Sequence, residues 1–268
     1  MSVVFDLKDL DTKTSNKIVK ALTLLPKAPQ FQKYQKYQAA QEPIRMYCTR
    51  EGKTRLPFQF ACLYFKKRFN QDKIFGKIYE DPNGKFTGKL LDRQKEPFKE
   101  SISLIKKHNT VTIALYPGFG KTFMGVMLAW YLNKKVCVLV HRDNVGKQWV
   151  KSFKQYFSEL TDDDIWFVDN KVKENAKIIV SMDGRTDKIP ESLRDDIGTL
   201  IIDEAHCFCA PSKVKPLLAF SPKYIIAETA TPKKDNGLET VIQSICGVHY
   251  KQKTSTKPYY FFILQTNI

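Results

Sequence analysis

The sequence has no apolar run long enough to cross a membrane. No stretch of its 268 residues approaches the roughly 20 consecutive apolar residues that a membrane-spanning helix needs. Residues 1–10 mix charged and apolar side chains and have no apolar core of the secretory signal type. We therefore expect a protein without a membrane partner that is kept inside the cell, in the cytoplasm or the nucleus.

The cysteine patterns of zinc sites and disulfide scaffolds are also missing. The six cysteines form no C-x₂-C pair. Cys207 and Cys209 beside His206 could suggest half of a zinc site, but no second ligand pair stands at finger-like spacing. We expect reduced thiols that pack in the interior.

Acidic residues are few relative to basic ones. The chain has 44 Lys and Arg against 28 Asp and Glu, a formal net charge of +16. Residues 1–100 hold 21 basic and 11 acidic residues, which accounts for +10 of that excess. A polyanion such as nucleic acid is the natural partner of such a surface, and a merely solubilising surface is the alternative.

Residues 111–122, V-T-I-A-L-Y-P-G-F-G-K-T, have the pattern of a phosphate-binding loop. A short apolar run typical of a buried strand leads into a glycine turn, and Lys121-Thr122 opens a stretch with helical spacing. Amides of such a turn bind phosphate, the lysine neutralises its charge and the threonine hydroxyl can ligate Mg²⁺. Because Leu115 replaces the first glycine of the strict motif, a turn that only joins a strand to a helix is the alternative.

The first third of the chain predicts a small, basic α+β accessory domain. A helix capped by Asp11 or Thr12 and another starting at Pro57 are expected. Residues 31–41 interleave aromatics with Lys and Gln, which suits either a nucleic-acid surface or an amphipathic segment packed on the main domain. We place this domain at 1–88, with its boundary between 84 and 89.

The rest of the chain alternates strands and helices. Apolar strands are predicted at 111–115, 136–140, 165–168, 178–181, 199–203 and 224–227, with helices after Lys121 and over 143–156, the latter capped by Asp143. This alternation favours an α/β fold with a parallel sheet, in which ligands bind at the carboxyl ends of the strands.

The strand at 199–203 ends in acidic residues. Asp203 and Glu204 would lie at the same sheet edge as the phosphate loop, where Asp203 can hold Mg²⁺ and Glu204 can polarise the water that attacks the γ-phosphate. Surface acids on a capped strand end are the alternative.

These motifs together resemble superfamily 2 helicases. G-F-G-K-T, D-E-A-H at 203–206 and T-A-T-P at 229–232 are similar to motifs I, II and III, and 229–238 is close to the form found in the branch of the xeroderma pigmentosum group B repair helicase and the poxvirus transcript-release helicase. The V-L-V-H…Q-W run at 138–149 resembles motif Ia, and L-L-D-R-Q at 90–94 resembles the element whose Gln reads adenine. The resemblance spans about residues 90–250.

The resemblance implies a RecA-like P-loop lobe with a parallel sheet flanked by helices at 89–255, which uses ATP and Mg²⁺. It implies that ATP is bound by Gln94, which would select adenine, and by a phosphate loop made of Gly118, Phe119, Gly120, Lys121 and Thr122. Mg²⁺ would be bound by Thr122 and Asp203, and Glu204 would catalyse hydrolysis with Lys121 and His206. The resemblance further implies that His206, Thr229 and Thr231 couple the nucleotide state to the binding of nucleic acid, which His141 and Arg142 would contact.

Simpler interpretations stay open for several of these residues. Gln94 could be an ordinary exposed polar residue, and His141-Arg142 could simply end a strand. Trp149 suits a helix core better than a base-stacking platform. Glu228 departs from the family, which has an apolar or small residue before T-A-T.

Helicases of this superfamily have a second RecA-like lobe that supplies arginine fingers, and no such element occurs in this sequence. We expect the chain to be the N-terminal part of a longer protein, with 256–268 starting the connection to the second lobe. The expected function is the ATP-binding lobe of a helicase or translocase that acts on double-stranded DNA in transcription or repair, weakly active as a fragment. A non-catalytic P-loop module that binds nucleotide or nucleic acid is the alternative. The Lys-, Tyr- and Phe-rich composition suggests a large DNA virus, which adds a viral factory or a virion as locations.

Overall fold

The computed structural model describes residues 2–6, 9–25, 42–50, 52–70, 72–81, 85–169, 171–230, 239–247 and 250–253. Predictions that fall on the segments 31–41, 231–238 (with Thr231) and 256–268 lie outside these described residues.

The N-terminal part forms small antiparallel sheets and two helices. In chain order its elements are β1 (Ser2–Asp6), α1 (Thr12–Ala21), β2 (Thr23–Leu24), β3 (Ile44–Arg45), β4 (Cys48–Arg50), β5 (Lys53–Pro57) and α2 (Phe58–Tyr64). Asp11 caps α1, as expected, because its Oδ1 accepts a 2.9 Å hydrogen bond from the Thr14 amide. The strands pair antiparallel in the orders β1-β5-β4 and β2-β3.

The remaining elements alternate between helix and strand. They are α3 (Asp92–His108), β6 (Thr110–Leu115), α4 (Lys121–Leu132), β7 (Val136–Val140), α5 (Asp143–Tyr156), β8 (Ile165–Phe167), β9 (Ile178–Met182), α6 (Glu191–Asp196), β10 (Thr199–Ile202), α7 (Pro211–Leu218), β11 (Tyr224–Thr229), α8 (Glu239–Cys246) and β12 (Tyr250–Lys253), with short 3-10 helices at Asp183–Lys188 and Ala205–Phe208.

Strands β6 to β12 form one parallel sheet in the order β12-β6-β11-β10-β7-β9-β8. The six strands predicted in this half are all present, and β12 adds an edge strand that the sequence did not predict. The predicted parallel sheet flanked by helices is confirmed. β10 lies between β7 and β11, and β11 lies beside β6, which brings the phosphate loop and the acidic strand end to one edge.

Alternation along each strand divides its side chains between two apolar layers. In β7, Cys137 and Leu139 face one layer, whereas Val136, Val138 and Val140 face the other. Both layers are closed to water, because every residue of β6, β7 and β10 is buried. This is the pattern of a parallel sheet covered on both faces.

The N-terminal part covers one face of the sheet. Leu22, Met46 and Phe58 belong to the same buried cluster as Leu139 and Leu200 of the parallel sheet. The N-terminal elements therefore share a hydrophobic core with the lobe, and the predicted division into domains at 88 stays a prediction.

Helices α3, α4 and α5 cover the other face. The helix predicted after Lys121 is confirmed as α4. Its buried residues include Met124, Val126 and Leu128, while Tyr131 is 39% exposed. The predicted 143–156 helix matches α5, but its cap was predicted wrongly, since Arg142 holds the cap position and no side chain caps the helix. No helix among the described residues is long and apolar enough to span a membrane.

Candidate nucleotide-binding site

The carboxyl edge of the parallel sheet gathers the predicted site residues. The phosphate loop follows β6, His141 follows β7, Asp203 follows β10 and Thr229 ends β11. Because β6, β11, β10 and β7 are adjacent, their ends lie side by side. In open α/β sheets this edge is where ligands bind.

Two glycines shape the loop between β6 and α4. Gly118 and Gly120 have φ angles of +79° and +100°, a left-handed backbone that side chains rarely adopt. A Cβ on Gly118 would meet nothing within 4 Å, so the loop is open on that side. Phe119 between them is buried, which anchors the loop while its neighbours stay accessible. The loop leads directly into the N-terminus of α4, where backbone N–H groups lack intrahelical partners.

Gln94 lies beneath this loop. Its Nε2 donates to the Phe119 carbonyl at 2.9 Å, and its Oε1 accepts from the Leu91 amide at 3.0 Å. The side chain is 3% exposed, so the alternative of an ordinary exposed residue is wrong. Its amide ties the start of α3 to the phosphate loop. A Cβ on Gly120 would lie 2.5 Å from Gln94 Nε2, which explains why a glycine is needed there. Adenine selection by Gln94 stays a prediction.

Lys121 connects the loop to the acidic strand end. Its Nζ lies 3.5 Å from Glu204 Oε1 and donates to the Leu115 carbonyl at 3.4 Å. Both side chains are partly shielded, at 13% and 28% exposure. The amine therefore lies between the last residue of β6 and the acidic end of β10. Thr122, the next residue, is half-buried at the first turn of α4.

Asp203 is a buried carboxylate held by an indole. Its Oδ2 accepts a 2.8 Å hydrogen bond from Trp149 Nε1, and its side chain belongs to a residue only 6% exposed. Burial raises the pKa of Asp203 above its ordinary value, against the lowering effect of the Trp149 hydrogen bond. Trp149 is fully buried, as expected of a core residue. That its N–H fixes Asp203 was not predicted, since spacing does not reveal where an indole points.

Glu204 has a strained backbone. Its φ of +46° and ψ of +55° are left-handed, which costs a residue with a side chain roughly 1–2 kcal/mol. Strain of this kind clusters at functional sites. The turn directs Glu204 toward Lys121 on one side and toward His206 on the other, where Oε2 lies 3.3 Å from Nδ1. That approach lacks hydrogen-bond alignment, so Oε2 has no hydrogen-bond partner among the described residues.

His206 connects the acidic strand end to β11. Its Nδ1 and the Thr229 hydroxyl share a 2.9 Å hydrogen bond. Thr229 is buried at the last position of β11. The two motifs that the sequence places 23 residues apart are thus in direct contact.

His141 and Arg142 lie together at the end of β7. Arg142 is exposed, and His141 is half-buried with its Nδ1 enclosed and without a partner among the described residues. Arg142 precedes α5, and Asp143 of that helix pairs with Lys147 at 2.7 Å. Neither residue contacts the acidic strand end in any recorded hydrogen bond or ion pair, so nucleic-acid contact by them stays a prediction.

Glu228 is a buried acid that sequence reasoning marked only as a departure. It is 0% exposed, and neither carboxylate oxygen has a hydrogen-bond partner among the described residues. Burial raises its pKa well above the ordinary value, and the negative charge of Asp203 adds to that effect. A Cβ on Gly125 would lie 2.6 Å from both Glu228 Oε1 and the Trp149 ring. The absence of a side chain at Gly125 therefore makes room for both.

This arrangement has the parts of a P-loop nucleotide-binding lobe. An open glycine loop, an amine and a hydroxyl lie at one strand end, and a carboxylate pair lies at a nearby strand end. No group of three or more His, Cys, Asp and Glu side chains that could hold a metal is found in the described part of the chain. Mg²⁺ in nucleotide sites uses one or two carboxylates with substrate phosphates, and Mg²⁺ binding by Asp203 and Thr122 stays a prediction.

Comparison with known proteins agrees with this class. The chain belongs to the family of the type III restriction enzyme res subunit, whose family profile matches residues 87–234. It is 30% identical over 200 residues to the putative helicase 161L of invertebrate iridescent virus 6. The matched region covers 72% of this chain and 43% of that protein. The chain spans about half or less of the length of each curated viral relative it matches.

Solved helicase structures share the fold. The UvsW helicase from bacteriophage T4 matches with a TM-score of 0.55 and 14% identity over 91% of this chain and 95% of that one. The SWI2/SNF2 ATPase core of Sulfolobus solfataricus in complex with dsDNA matches with a TM-score of 0.51 and 20% identity over 63% of this chain and 38% of that one. The predicted resemblance to superfamily 2 helicases and the RecA-like fold are thus confirmed, and the chain is a helicase-family ATPase domain.

Proposed function

We propose that this chain is the ATP-hydrolysing lobe of a motor that moves on double-stranded DNA. The observation that carries the proposal is the 3.5 Å approach of Lys121 Nζ to Glu204 Oε1. A lysine from a phosphate loop and an acid from the neighbouring strand end converge on one space, as the hydrolysis of a nucleoside triphosphate requires.

ATP would bind with its phosphates over the loop at 118–122. Backbone amides of the loop and the α4 N-terminus would hold the phosphate oxygens, and Lys121 would leave Glu204 to neutralise the β- and γ-phosphates. Mg²⁺, held by Thr122 and Asp203, would neutralise charge on the phosphates. Gln94 would contact the adenine. Because the side chain of Gln94 is also hydrogen-bonded to the phosphate loop, binding of the base would affect the position of the loop.

Glu204 would act as the base that orients the attacking water. Once Lys121 turns to the phosphates, Glu204 loses its nearest cation and its carboxylate is free to accept the proton of a water. His206 and Thr229 would pass the change at the acidic strand end to β11 through their 2.9 Å hydrogen bond. Thr231, two residues further along the chain, would take part in the same coupling.

Nucleic acid would bind across the carboxyl edge of the sheet. His141 and Arg142 at the end of β7 would contact its backbone, and Arg142 is exposed in support of that role. A structural relative, the SWI2/SNF2 ATPase core, was solved in complex with dsDNA, which supports a duplex as the partner of this chain.

A second RecA-like lobe would complete the motor. Arginine fingers from such a lobe raise the rate of phosphoryl transfer by roughly 10³–10⁵, so this lobe alone should hydrolyse ATP slowly. The names and sources of its iridescent-virus relatives support a viral helicase. The proposal adds a role in transcription or repair, in the cytoplasm, the nucleus, a viral factory or the virion. The second candidate, a nucleotide-binding module without turnover, is disfavoured because Lys121, Asp203 and Glu204 are all retained.

The experiment separates binding from hydrolysis. In a form of the protein that carries the proposed second lobe, Glu204→Gln should keep Mg²⁺–ATP binding within about twofold while phosphate release stimulated by duplex DNA falls by roughly 10²-fold or more, since a general base contributes about 10²–10⁴. Lys121→Ala should weaken binding itself by about 10- to 100-fold, because a charge-assisted hydrogen bond is worth about 1.5–3 kcal/mol. Lys154→Ala, whose lysine pairs with Asp162 on the surface, is the matched control. Unchanged phosphate release in Glu204→Gln would reject the catalytic assignment.

A further inference from the structure

Lysines also crowd the opposite edge of the parallel sheet. Lys134 stands just before β7 and Lys223 just before β11, while Lys106 and Lys107 close α3 just before β6. The residues that precede parallel strands lie at the amino edge, and those that follow lie at the carboxyl edge. With β6 and β11 six residues long, the two edges are roughly 20 Å apart at about 3.3 Å per residue.

Two of the amino-edge lysines lie over tyrosine rings. Lys106 Nζ lies 5.3 Å from the centre of the Tyr131 ring, and Lys223 Nζ lies 5.7 Å from that of Tyr224. Lys106 and Tyr131 are also close enough to Tyr224 to affect its pKa. Burial raises that pKa above its ordinary value, and the positive charge of Lys106 opposes the rise only in part. Lys134 and Lys223 both adjoin Gly198, since a Cβ on Gly198 would lie 2.8 Å from Lys134 Cβ and the Lys223 amide donates to the Gly198 carbonyl at 3.0 Å.

The charge of this surface is unbalanced. Burial lowers the pKa of Lys134, and the positive charges of Lys223 and Lys77 lower it further. The nearby acids Asp195 and Asp196 are taken by other lysines, Lys73 and Lys135. Five lysines at or near the amino edge have no ion pair within 4 Å among the described residues, and we name them the amino-edge patch: Lys77, Lys106, Lys107, Lys134 and Lys223.

Such clustering of like charges opposes folding unless a polyanion binds it. Lysine is a mobile point charge that suits phosphate rather than base edges. The rings of the patch are not free for base stacking, because Lys106 lies over Tyr131 and Lys223 over Tyr224. The chemistry therefore fits the backbone of a duplex better than an unpaired strand.

We propose that the amino-edge patch binds the phosphate backbone of duplex DNA, as a second contact separate from the carboxyl edge. The inference goes beyond the proposed motor function, since this contact needs neither ATP nor hydrolysis. A duplex on the carboxyl edge and another segment on the amino edge would be held on opposite sides of one sheet. The protein could thereby hold two DNA segments, or one that bends around the lobe.

The test is the salt dependence of DNA binding. The binding of a fluorescently labelled 20-bp duplex, without nucleotide, is measured by anisotropy from 50 to 200 mM salt for the Lys106→Ala, Lys107→Ala, Lys223→Ala triple variant. Each lysine on a phosphate contributes about 0.9 to the slope of log K against log salt, so the slope should fall by about 2–3 and affinity at 0.1 M salt by at least roughly tenfold.

A charge-matched triple variant is the control. Lys13→Ala, Lys85→Ala and Lys154→Ala remove three positive charges elsewhere on the surface, and Lys85 and Lys154 pair with acids. This triple should move the slope by less than about 1. Equal effects of the two triples would overturn the proposal, because binding would follow net charge alone. Polyglutamate that competes as well as unlabelled duplex at equal charge would also overturn it, in favour of an acidic protein partner.

Failure of this proposal is distinguishable from failure of the motor function. Lys121→Ala and Glu204→Gln report on nucleotide, and neither should change the salt slope measured without nucleotide. An intact patch effect in a protein that never hydrolyses ATP would support the amino-edge contact and reject only the motor.

Discussion

The two edges of the parallel sheet differ in the type and the burial of their charged side chains. At the carboxyl edge, Asp203 and Glu228 are buried at 6% and 0% exposure and lie close to Glu204 and Lys121. At the amino edge, Lys77, Lys106 and Lys107 are exposed, and Lys134 and Lys223 are half-buried. Both edges belong to the same sheet. An ionised group costs more folding free energy at the carboxyl edge, because there the side chain is removed from water.

This difference has a consequence for mutations. A buried carboxylate can adopt few positions and has few hydrogen-bond partners. The loss of a single neighbouring atom should therefore lower both the free energy of unfolding and the affinity for nucleotide. A hydrated lysine can move, so single substitutions at the amino edge should leave stability within about 0.5 kcal/mol. The carboxyl edge should thus be sensitive and the amino edge tolerant, with the following substitutions ordered from the largest expected effect.

Trp149→Phe tests whether the indole hydrogen bond holds Asp203. A smaller aromatic ring replaces the indole, and Asp203 Oδ2 loses its 2.8 Å donor. We expect a loss of about 1.5–3 kcal/mol in the free energy of unfolding, the usual value for a hydrogen bond to a charged group. Trp166→Phe is the control, since its indole donates at 3.3 Å to Asp169, an exposed residue. The control loses the same ring volume at an equally buried position. Equal losses in the two variants, measured by urea unfolding, would mean that the ring matters and the hydrogen bond does not.

Glu228→Gln tests the cost of the unpartnered acid. A folded-state pKa above the unfolded value means that stability falls as pH rises from about 4.5, because only the unfolded chain ionises freely. The side chain of the glutamine variant does not titrate. Its free energy of unfolding should therefore rise relative to that of the native protein as pH rises, by about 1–3 kcal/mol at pH 7. Urea unfolding at pH 5 and pH 7 measures the difference. A gain that does not depend on pH would show that Glu228 is not protonated in the folded protein.

Gly125→Ala tests the space shared by Glu228 and Trp149. A Cβ there would approach both at 2.6 Å, and overpacking typically costs about 1–3 kcal/mol. Since alanine favours the helix by about 0.5–1 kcal/mol, the net loss should be about 1 kcal/mol. Gly184→Ala, where a Cβ meets nothing within 4 Å, should be nearly neutral. If Gly125→Ala is as harmless, the packing of this layer is looser than the structure indicates.

Much of the fold followed from local pattern. β6, β7, β10 and β11 are short, apolar runs that lie at the predicted positions, because a strand buried on both faces has no other composition available. The meeting of Lys121 with Glu204 also followed, since parallel strands share one carboxyl edge. The site residues could be named from motif order for the same reason.

Other features depended on distant contacts. No spacing rule predicts that Gln94 is tied to the Phe119 carbonyl or that Trp149 holds Asp203. The helix α4 was predicted, but the burial of Met124 and Leu128 was not, because α3, α5 and the sheet together decide which side is enclosed. β12 was missed because its polar sequence, Y-K-Q-K, lacks a strand pattern and pairs only at the sheet edge.

The sequence by itself determined the class of this protein. The order of a glycine loop, an acidic strand end and a threonine-rich strand end specifies a P-loop lobe, since phosphate and metal chemistry allow few residue types at those positions. Only the tertiary structure decided where charge is enclosed and where it is hydrated. Burial of Glu228 and exposure of the amino-edge lysines depend on what packs around each strand end, and that is set by residues far apart in the chain.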